Sequence, residues 1–491
     1  MRRTEKSFAF WFLVVVSLLF FFLRLPSLAE PYWYGDEGIY QTIALALNRG
    51  YTLYSQIWDN KPPLLYYTYA LFGGDQFFLR LLSLTFGLAS IVLFFRLAVQ
   101  LFQERKAVIA STLGFTLLFG LPTFEGNIAN AENFMLPFSI AAGYLVYLAT
   151  ERAQKQRYLL LAGMLLGIAF LYKIVGIFDF AAFLVFFLIV SLPGQVSFRP
   201  LVRAMTDSWR QFAALTAGFV LPFILSIIYF LSKGVLGDYI QATFLSTVWY
   251  VGCNNFFLFP QGMLISKLLL LSVIVIGLAV NRDTVSKPVL FICVWFVFSL
   301  FNSFFSHRSY THYLIVLIPS FALVFGMLFC SKTQYKYFLT GGLVVMSYLL
   351  FTFFTHWSLT KTVGYYANSV DFLTGQKTLA AYEEFFDPRT PRDSRIVRFI
   401  LGRAKDEPSM FMWGNAARLY YQTGTLPPSR FTVFYHIQRK GGYELELTDA
   451  LQKNPPQFIV LMPDVPPFPY PLDDYIHVST IGGVDIYERV H

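Results

Sequence analysis

Long apolar runs recur along the chain and stop near residue 356. A helix that crosses a bilayer needs about 20 mostly apolar residues. On that measure the pattern predicts eleven spans, at 8–28, 77–101, 107–122, 133–150, 158–175, 176–193, 212–232, 263–280, 288–305, 313–330 and 337–356. The polar stretch 29–76 is long enough to fold. Tyr40 to Leu47 reads as a helix closed by Asn48-Arg49-Gly50, and Pro62-Pro63 opens a second helix to about Phe72, since proline fits a first turn. Both are expected to lie along the membrane surface. Segment 233–262, with Tyr239, Trp249 and Tyr250, suits another surface piece, and 195–211 an interfacial anchor. Beyond 356 the pattern changes. Strand-like runs at 408–413 and 457–462 alternate with helix candidates at 415–423 and 443–453, and a hairpin closes around Gly482-Gly483. That alternation predicts a small α/β domain. The expected architecture is an α-helical polytopic membrane domain, 1–356, followed by an α/β domain, 357–491.

Composition sharpens this. Of 491 residues, 56% are hydrophobic and 14% charged, with mean hydropathy +0.53. An ordinary soluble domain is about 25% charged, so a disordered chain, a soluble single-domain enzyme and a disulfide-stapled module are excluded. Cys253, Cys293 and Cys330 form no CxxC pair, and the tail has no cysteine to cross-link.

The net charge is +9, and its placement matters more than its size. Residues 1–356 hold 24 Lys and Arg against 14 acids, and residues 357–491 hold 14 against 15. The basicity follows the spans, so it reads as loop asymmetry and not as nucleic-acid binding. With the N-terminus in the cytoplasm, loops on that side hold 15 Lys and Arg and loops on the other side hold 4. The tail is then extracytoplasmic. Ser27-Leu28-Ala29 suits a signal-peptide cleavage site, but the apolar run from Phe8 to Leu23 is longer than a usual signal core, so an uncleaved first span is expected.

Charges beside spans are costly and draw attention. Asp36-Glu37, Lys61, Glu125, Glu132, His307, Arg308 and His312 all fall on the outer side, and Lys173 and Asp179 flank the break at Gly176. Each has an ordinary explanation. Asp36-Glu37 and Glu132 suit the first turns of helices, Lys61 can snorkel, and Lys173 with Asp179 suits an ion pair. His307 and His312 lack an evident third ligand, so no metal is expected. Together, acids and cations on one membrane face suit a base with an anion clamp.

The joint pattern resembles polytopic glycosyltransferases that use polyprenyl-phosphate sugars, the protein O-mannosyltransferase and lipid A aminoarabinose transferase family. The residues that carry it are Tyr34-Gly35-Asp36-Glu37-Gly38-Ile39-Tyr40, Gly50, and Trp58-Asp59-Asn60-Lys61-Pro62-Pro63-Leu64. Asn130-Ala131-Glu132-Asn133-Phe134, Leu171-Tyr172-Lys173 and Arg308-Ser309-Tyr310-Thr311-His312-Tyr313 follow downstream. Glu132 stands where the family usually has Asp, and Asn60 where the aminoarabinose transferase has Glu. The resemblance implies a GT-C fold, a polyprenyl-phosphate sugar donor, an extracytoplasmic hydroxyl acceptor and no cofactor.

In family terms Asp36 is the base and attack inverts the anomeric centre. Glu37 or Glu132 orients the acceptor or the first carboxylate. Lys61, Arg308 and Lys173 bind the donor phosphate. Tyr40, Trp58, Asp59, Asn60, His312 and Tyr313 are the expected substrate contacts, with interface aromatic belts as the alternative for the rings. The plasma membrane of a prokaryote is the expected location. A transporter or flippase, or a non-catalytic glycan-binding scaffold, are the competing functions; acids at one face and the lack of a repeat count against a transporter.

Overall fold

The computed structural model describes residues 3–152, 155–193, 197–248, 263–306, 310–330, 359–438 and 443–490. Helices occupy the described predicted spans, and four are long and apolar enough to cross a bilayer: Ser7–Ala29, Gln76–Leu101, Ala131–Glu151 and Trp209–Ser232. Shorter apolar helices lie at Gly176–Ser191, Leu264–Val280 and Lys287–Ser303. The segment expected as a span at 313–330 starts differently, as a 3-10 turn, Thr311–Leu317, before the α-helix Ile318–Met327. Pro319 has no N–H to donate to the preceding turn, so the α ladder cannot run through it. The segment 337–356 lies outside the described residues.

The chain forms two compact units. The first holds 1–25, 82–229 and 248–362; the second holds 26–81, 230–247 and 363–491. The stretch read as a separate outer loop therefore groups with the tail.

In the first unit, the helices Lys155–Tyr172 and Trp209–Ser232 approach through glycines. A Cβ on Gly163 would stand 2.1 Å from Leu215 O, and one on Gly218 2.2 Å from Leu160 O. Lipid gives helices little hydrophobic reason to associate, so small residues that allow close backbone packing do that work. Elsewhere phenylalanine fills the contacts: Phe94 stacks on Phe115 at 4.4 Å, and Phe183 on Phe291 at 5.7 Å.

In the second unit, the tail builds a four-stranded sheet in the order β1-β2-β4-β3. The strands are β1 Met410–Trp413, β2 Phe458–Leu461, β3 Tyr475–Ile481 and β4 Val484–Arg489. β1 and β2 are parallel, and the rest pair antiparallel. A parallel pair needs a long crossover, which includes the predicted helix Tyr443–Lys453. The hairpin at Gly482-Gly483 has φ of 57° and 79°, which a two-residue turn of this kind requires and glycine adopts without strain. Three helices here are not foreseen by the pattern: Leu359–Leu373, Leu379–Phe386 and Thr390–Arg403. Their mixed polarity hides the period. Tyr239, expected on a surface piece, is buried and stacks on Phe230 at 4.4 Å.

The helix Gly35–Asn48 packs on the short tail helix Arg418–Thr423. Thr42 Oγ1 donates to Ala417 O at 2.9 Å. A Cβ on Gly38 would meet Arg418 N at 2.7 Å. Gly38→Ala should therefore destabilise by about 1–3 kcal/mol. Gly35→Ala, where a Cβ meets nothing within 4 Å, should be near neutral. Thermal unfolding of the two variants side by side checks this.

Candidate active site

The predicted site residues fall into two clusters, one in each compact unit. The first is built on the two helices between 29 and 76, which the sequence foresees. Gly35–Asn48 begins after extended Tyr34 and places Asp36 and Glu37 in its first turn. Pro63–Leu71 follows Pro62, and Lys61 stands just before it. Lys61 Nζ lies 3.6 Å from Asp36 Oδ2 and 3.4 Å from Asp59 Oδ2. The ammonium also stands 4.9 Å from the centre of the Tyr40 ring. Tyr40 Oη donates to Asp36 Oδ2 at 3.2 Å. The Lys61 backbone is fixed too, its carbonyl accepting from Tyr54 Oη at 2.8 Å. Asp36 remains partly exposed, at 31% for its side chain.

Asp59 is the buried anchor of this cluster. Its Oδ2 accepts from Tyr66 Oη at 2.7 Å, its Oδ1 from Asn60 N at 2.7 Å, and His436 Nε2 lies 3.3 Å from Oδ1. Burial pushes the carboxyl up, but the Lys61 charge, His436 and the Tyr66 hydroxyl outweigh it and hold Asp59 well below the usual carboxylate range. Burial and the Asp59 charge push Tyr66 well above its ordinary value, so its hydroxyl keeps the proton it donates.

A depressed folded-state pKa means the unfolded chain binds more protons in acid. The Asp59 contribution to stability is thus complete above about pH 4 and is lost as pH falls below it. Asp59→Asn should flatten this acid limb of the stability curve. Thermal unfolding of wild type and variant between neutral and acid pH reads it.

Glu37 turns the other way. Arg80 Nε and Nη2 donate to its two carboxylate oxygens at 2.9 and 2.5 Å. Arg80 Nη1 lies 2.6 Å from Glu30 Oε2, and Tyr365 Oη and Trp33 Nε1 donate to Glu30 at 2.6 and 2.7 Å. The side chains of Arg80 and Glu30 are fully buried and that of Glu37 nearly so, at 3%. Trp58, expected against a sugar, is also buried and packs between Phe431 and His436. Tyr40 is buried against Tyr66 and Tyr69. Asn60 is half-buried, its carbonyl accepting from Thr247 at 3.4 Å.

The second cluster opens on the helix Ala131–Glu151. Asn133 Nδ2 ties its first turn to Gly126 O at 2.8 Å and Ser83 Oγ at 3.1 Å. Glu132 in that turn is buried and takes an ion pair from Lys173, whose ammonium stands 4.6 Å from the centre of the Tyr313 ring. His312 Nδ1 lies 3.1 Å from Glu125 Oε2, and its Nε2 lies 3.9 Å from Glu132 Oε1. Glu125 is left-handed, φ 59°, an uncommon conformation for a residue with a side chain. Asp179 does not pair with Lys173; its Oδ1 accepts from Trp295 Nε1 at 2.9 Å. Arg308 and His307 lie outside the described residues.

Sequence reasoning missed Arg80, Glu30, Tyr66 and His436. Arg80 carried a usable signal, a cation inside an apolar span. His436 carried none, because 377 residues separate it from Asp59.

The profile of the family described as "Dolichyl-phosphate-mannose-protein mannosyltransferase" matches residues 60–206. The fold is similar to that of ArnT from Cupriavidus metallidurans, solved bound to undecaprenyl phosphate. That match has 15% identity and a TM-score of 0.58, and covers 97% of each chain. The archaeal oligosaccharyltransferase AglB from Archaeoglobus fulgidus, in complex with an inhibitory peptide and a dolichol-phosphate, matches at 11% identity and TM-score 0.49. It covers 94% of this chain and 70% of that one. No curated protein matches by sequence. The chain is thus similar in fold to ArnT, with its family match confined to residues 60–206.

Proposed function

We propose that the protein transfers a sugar from a polyprenyl-phosphate donor to a hydroxyl acceptor on the extracytoplasmic side of a prokaryotic plasma membrane. The observation that carries this reading is the pairing of Asp36 with Lys61, a partly exposed carboxylate beside a cation fixed at three points. Asp36 accepts the proton of the acceptor hydroxyl as its oxygen attacks C1 of the sugar. The C1–O bond to phosphate breaks, and the lipid phosphate leaves with the electron pair. Attack opposite the phosphate inverts the anomeric centre. Lys61 neutralises the growing charge by a charge-assisted hydrogen bond. Asp59 keeps Lys61 in place, and Glu37, held by Arg80, fixes the turn that presents Asp36. The family resemblance extends the donor-phosphate role to Lys173 and Arg308, and the orienting role to Glu132. The same resemblance supports His312 and Tyr313 as substrate contacts.

The test is consumption of a panel of labelled polyprenyl-phosphate sugars by the purified chain, with membrane extract as the source of acceptor and with and without EDTA. One donor is expected to be consumed, releasing free polyprenyl phosphate. Lys61→Met should raise the KM for that donor by about tenfold or more, as loss of a charged contact does. Uptake of the intact donor lipid without sugar release would favour a flippase instead.

A further inference from the structure

The second unit carries a cavity of about 230 Å³ apart from the Asp36–Lys61 cluster. It lies at the carboxyl ends of the parallel strands, where Asn415 and Ala416 follow β1 and Met462 and Asp464 follow β2. This is the usual place for a ligand crevice in an α/β sheet. The opposite wall is Trp33, Tyr34 and Gly35, the residues that lead directly into Asp36. Drug-sized ligands use about 300–1,000 Å³, so this volume suits one small ring.

The polar lining is unusual in its hydrogen-bond balance. Arg418 is 5% exposed; its Nη1 donates to Trp33 O at 2.8 Å and its Nη2 to Asp393. Its buried Nε–H has no partner among the described residues. Arg392 Nε donates to Asp393 Oδ1 at 2.9 Å, but among the described residues its Nη2 reaches only the Met462 thioether, at 3.7 Å. Sulfur is a weak acceptor. Arg389 chelates Asp387 at 3.0 and 2.7 Å, while its Nη1 stands 3.7 Å from Asp464. Arg418 Nε and Arg392 Nη2 thus lack a strong acceptor among the described residues, and a buried donor left unmatched is costly.

Charge then selects the ligand. Three guanidinium groups face three carboxylates, so the cavity has no net charge to draw an anion. A ring of hydroxyls suits such a wall, since it can donate to Asp387 and Asp464 and accept from Arg389 and Arg392 at once. Trp33, pinned through its Nε1 to Glu30, gives a rigid aromatic edge. A Cβ on Gly35 would meet nothing, so the space beside that wall is open.

We propose that this cavity binds a pyranose ring of the acceptor through hydroxyl contacts to Arg389, Asp464 and Arg392. The acceptor role rests on the transferase reading above; the sugar site itself does not.

The experiment uses the full chain in detergent and saturation-transfer NMR with the methyl glycosides of mannose, glucose, galactose and N-acetylglucosamine. Inorganic phosphate serves as the competing anion. At least one glycoside is expected to bind. Its affinity should fall about tenfold in Arg389→Gln and in Asp464→Asn, both exposed enough to leave the fold intact. Asp36→Asn should bind the glycoside as wild type does. Binding of no glycoside, binding unchanged in both cavity variants, or displacement by phosphate alone would overturn the proposal. If the wild type consumes donor while no glycoside binds, this inference fails and the transferase reading stands. If a glycoside binds through Arg389 but no donor is ever consumed, the acceptor role falls with the transferase reading.

Discussion

Asp36→Asn is expected to lower kcat for sugar transfer by about 10²–10⁴-fold while leaving donor KM near its wild-type value. The substitution keeps the shape of the side chain and the reach to Tyr40 and Lys61. What it removes is the ability to accept a proton. Lys61 and Asp59 remain, so the contacts assigned to the donor phosphate are intact. A matching loss in donor affinity would instead make Asp36 a positioning group for Lys61, and the split between kcat and KM tells these apart. The assay is steady-state release of polyprenyl phosphate across a donor series.

The largest effect on stability is expected from Arg80→Met. Arg80 lies between two buried carboxylates, Glu30 and Glu37, and pairs with both, and it also donates to Ser27 O at 3.2 Å. Removing it leaves both acids in a dry site. Breaking a buried pair from one side costs about 3–5 kcal/mol, and here two acids lose the same partner. Arg80→Lys should recover only part, since an ammonium cannot match the bidentate grip on Glu37. A triple variant that also replaces Glu30 and Glu37 by Leu should unfold at a higher temperature than Arg80→Met alone, because no charge is then stranded. Thermal unfolding in detergent measures all three. An Arg80→Met protein as stable as wild type would remove the network from the account.

Much of this was legible in the sequence, and the reasons are physical. Apolar runs announce bilayer helices because the solvent there is lipid, so Gln76–Leu101 and Ala131–Glu151 stand close to where the pattern puts them. The loop helices declare themselves through Asn48-Arg49-Gly50 and Pro62-Pro63, local signals that tertiary context left alone. Asp36 and Lys61 stood out as charges on one membrane face and took their expected roles from the family resemblance; that they pair with each other is a finding of the structure. The burial of Trp58 was not legible, because a tryptophan beside a lysine reads the same on a sugar wall or in a core. Its partners, Phe431 and His436, come from the far end of the chain. The tail helices Leu379–Phe386 and Thr390–Arg403 were hidden because their polarity is mixed: the second carries four arginines, two of which, Arg392 and Arg403, form ion pairs with Asp393 and Glu488. Long-range pairing of charges, as in Asp59 with His436 or Arg418 with Asp393, leaves no local trace.

The central claim is that this chain releases sugar from a lipid phosphate using the Asp36 carboxylate. The most direct measurement follows free polyprenyl phosphate from a labelled donor, with purified wild type and Asp36→Asn assayed side by side in the presence of membrane extract. The account predicts release by the wild type and almost none by the variant. Equal release by both, or transport of the intact donor lipid with no release by either, would contradict it.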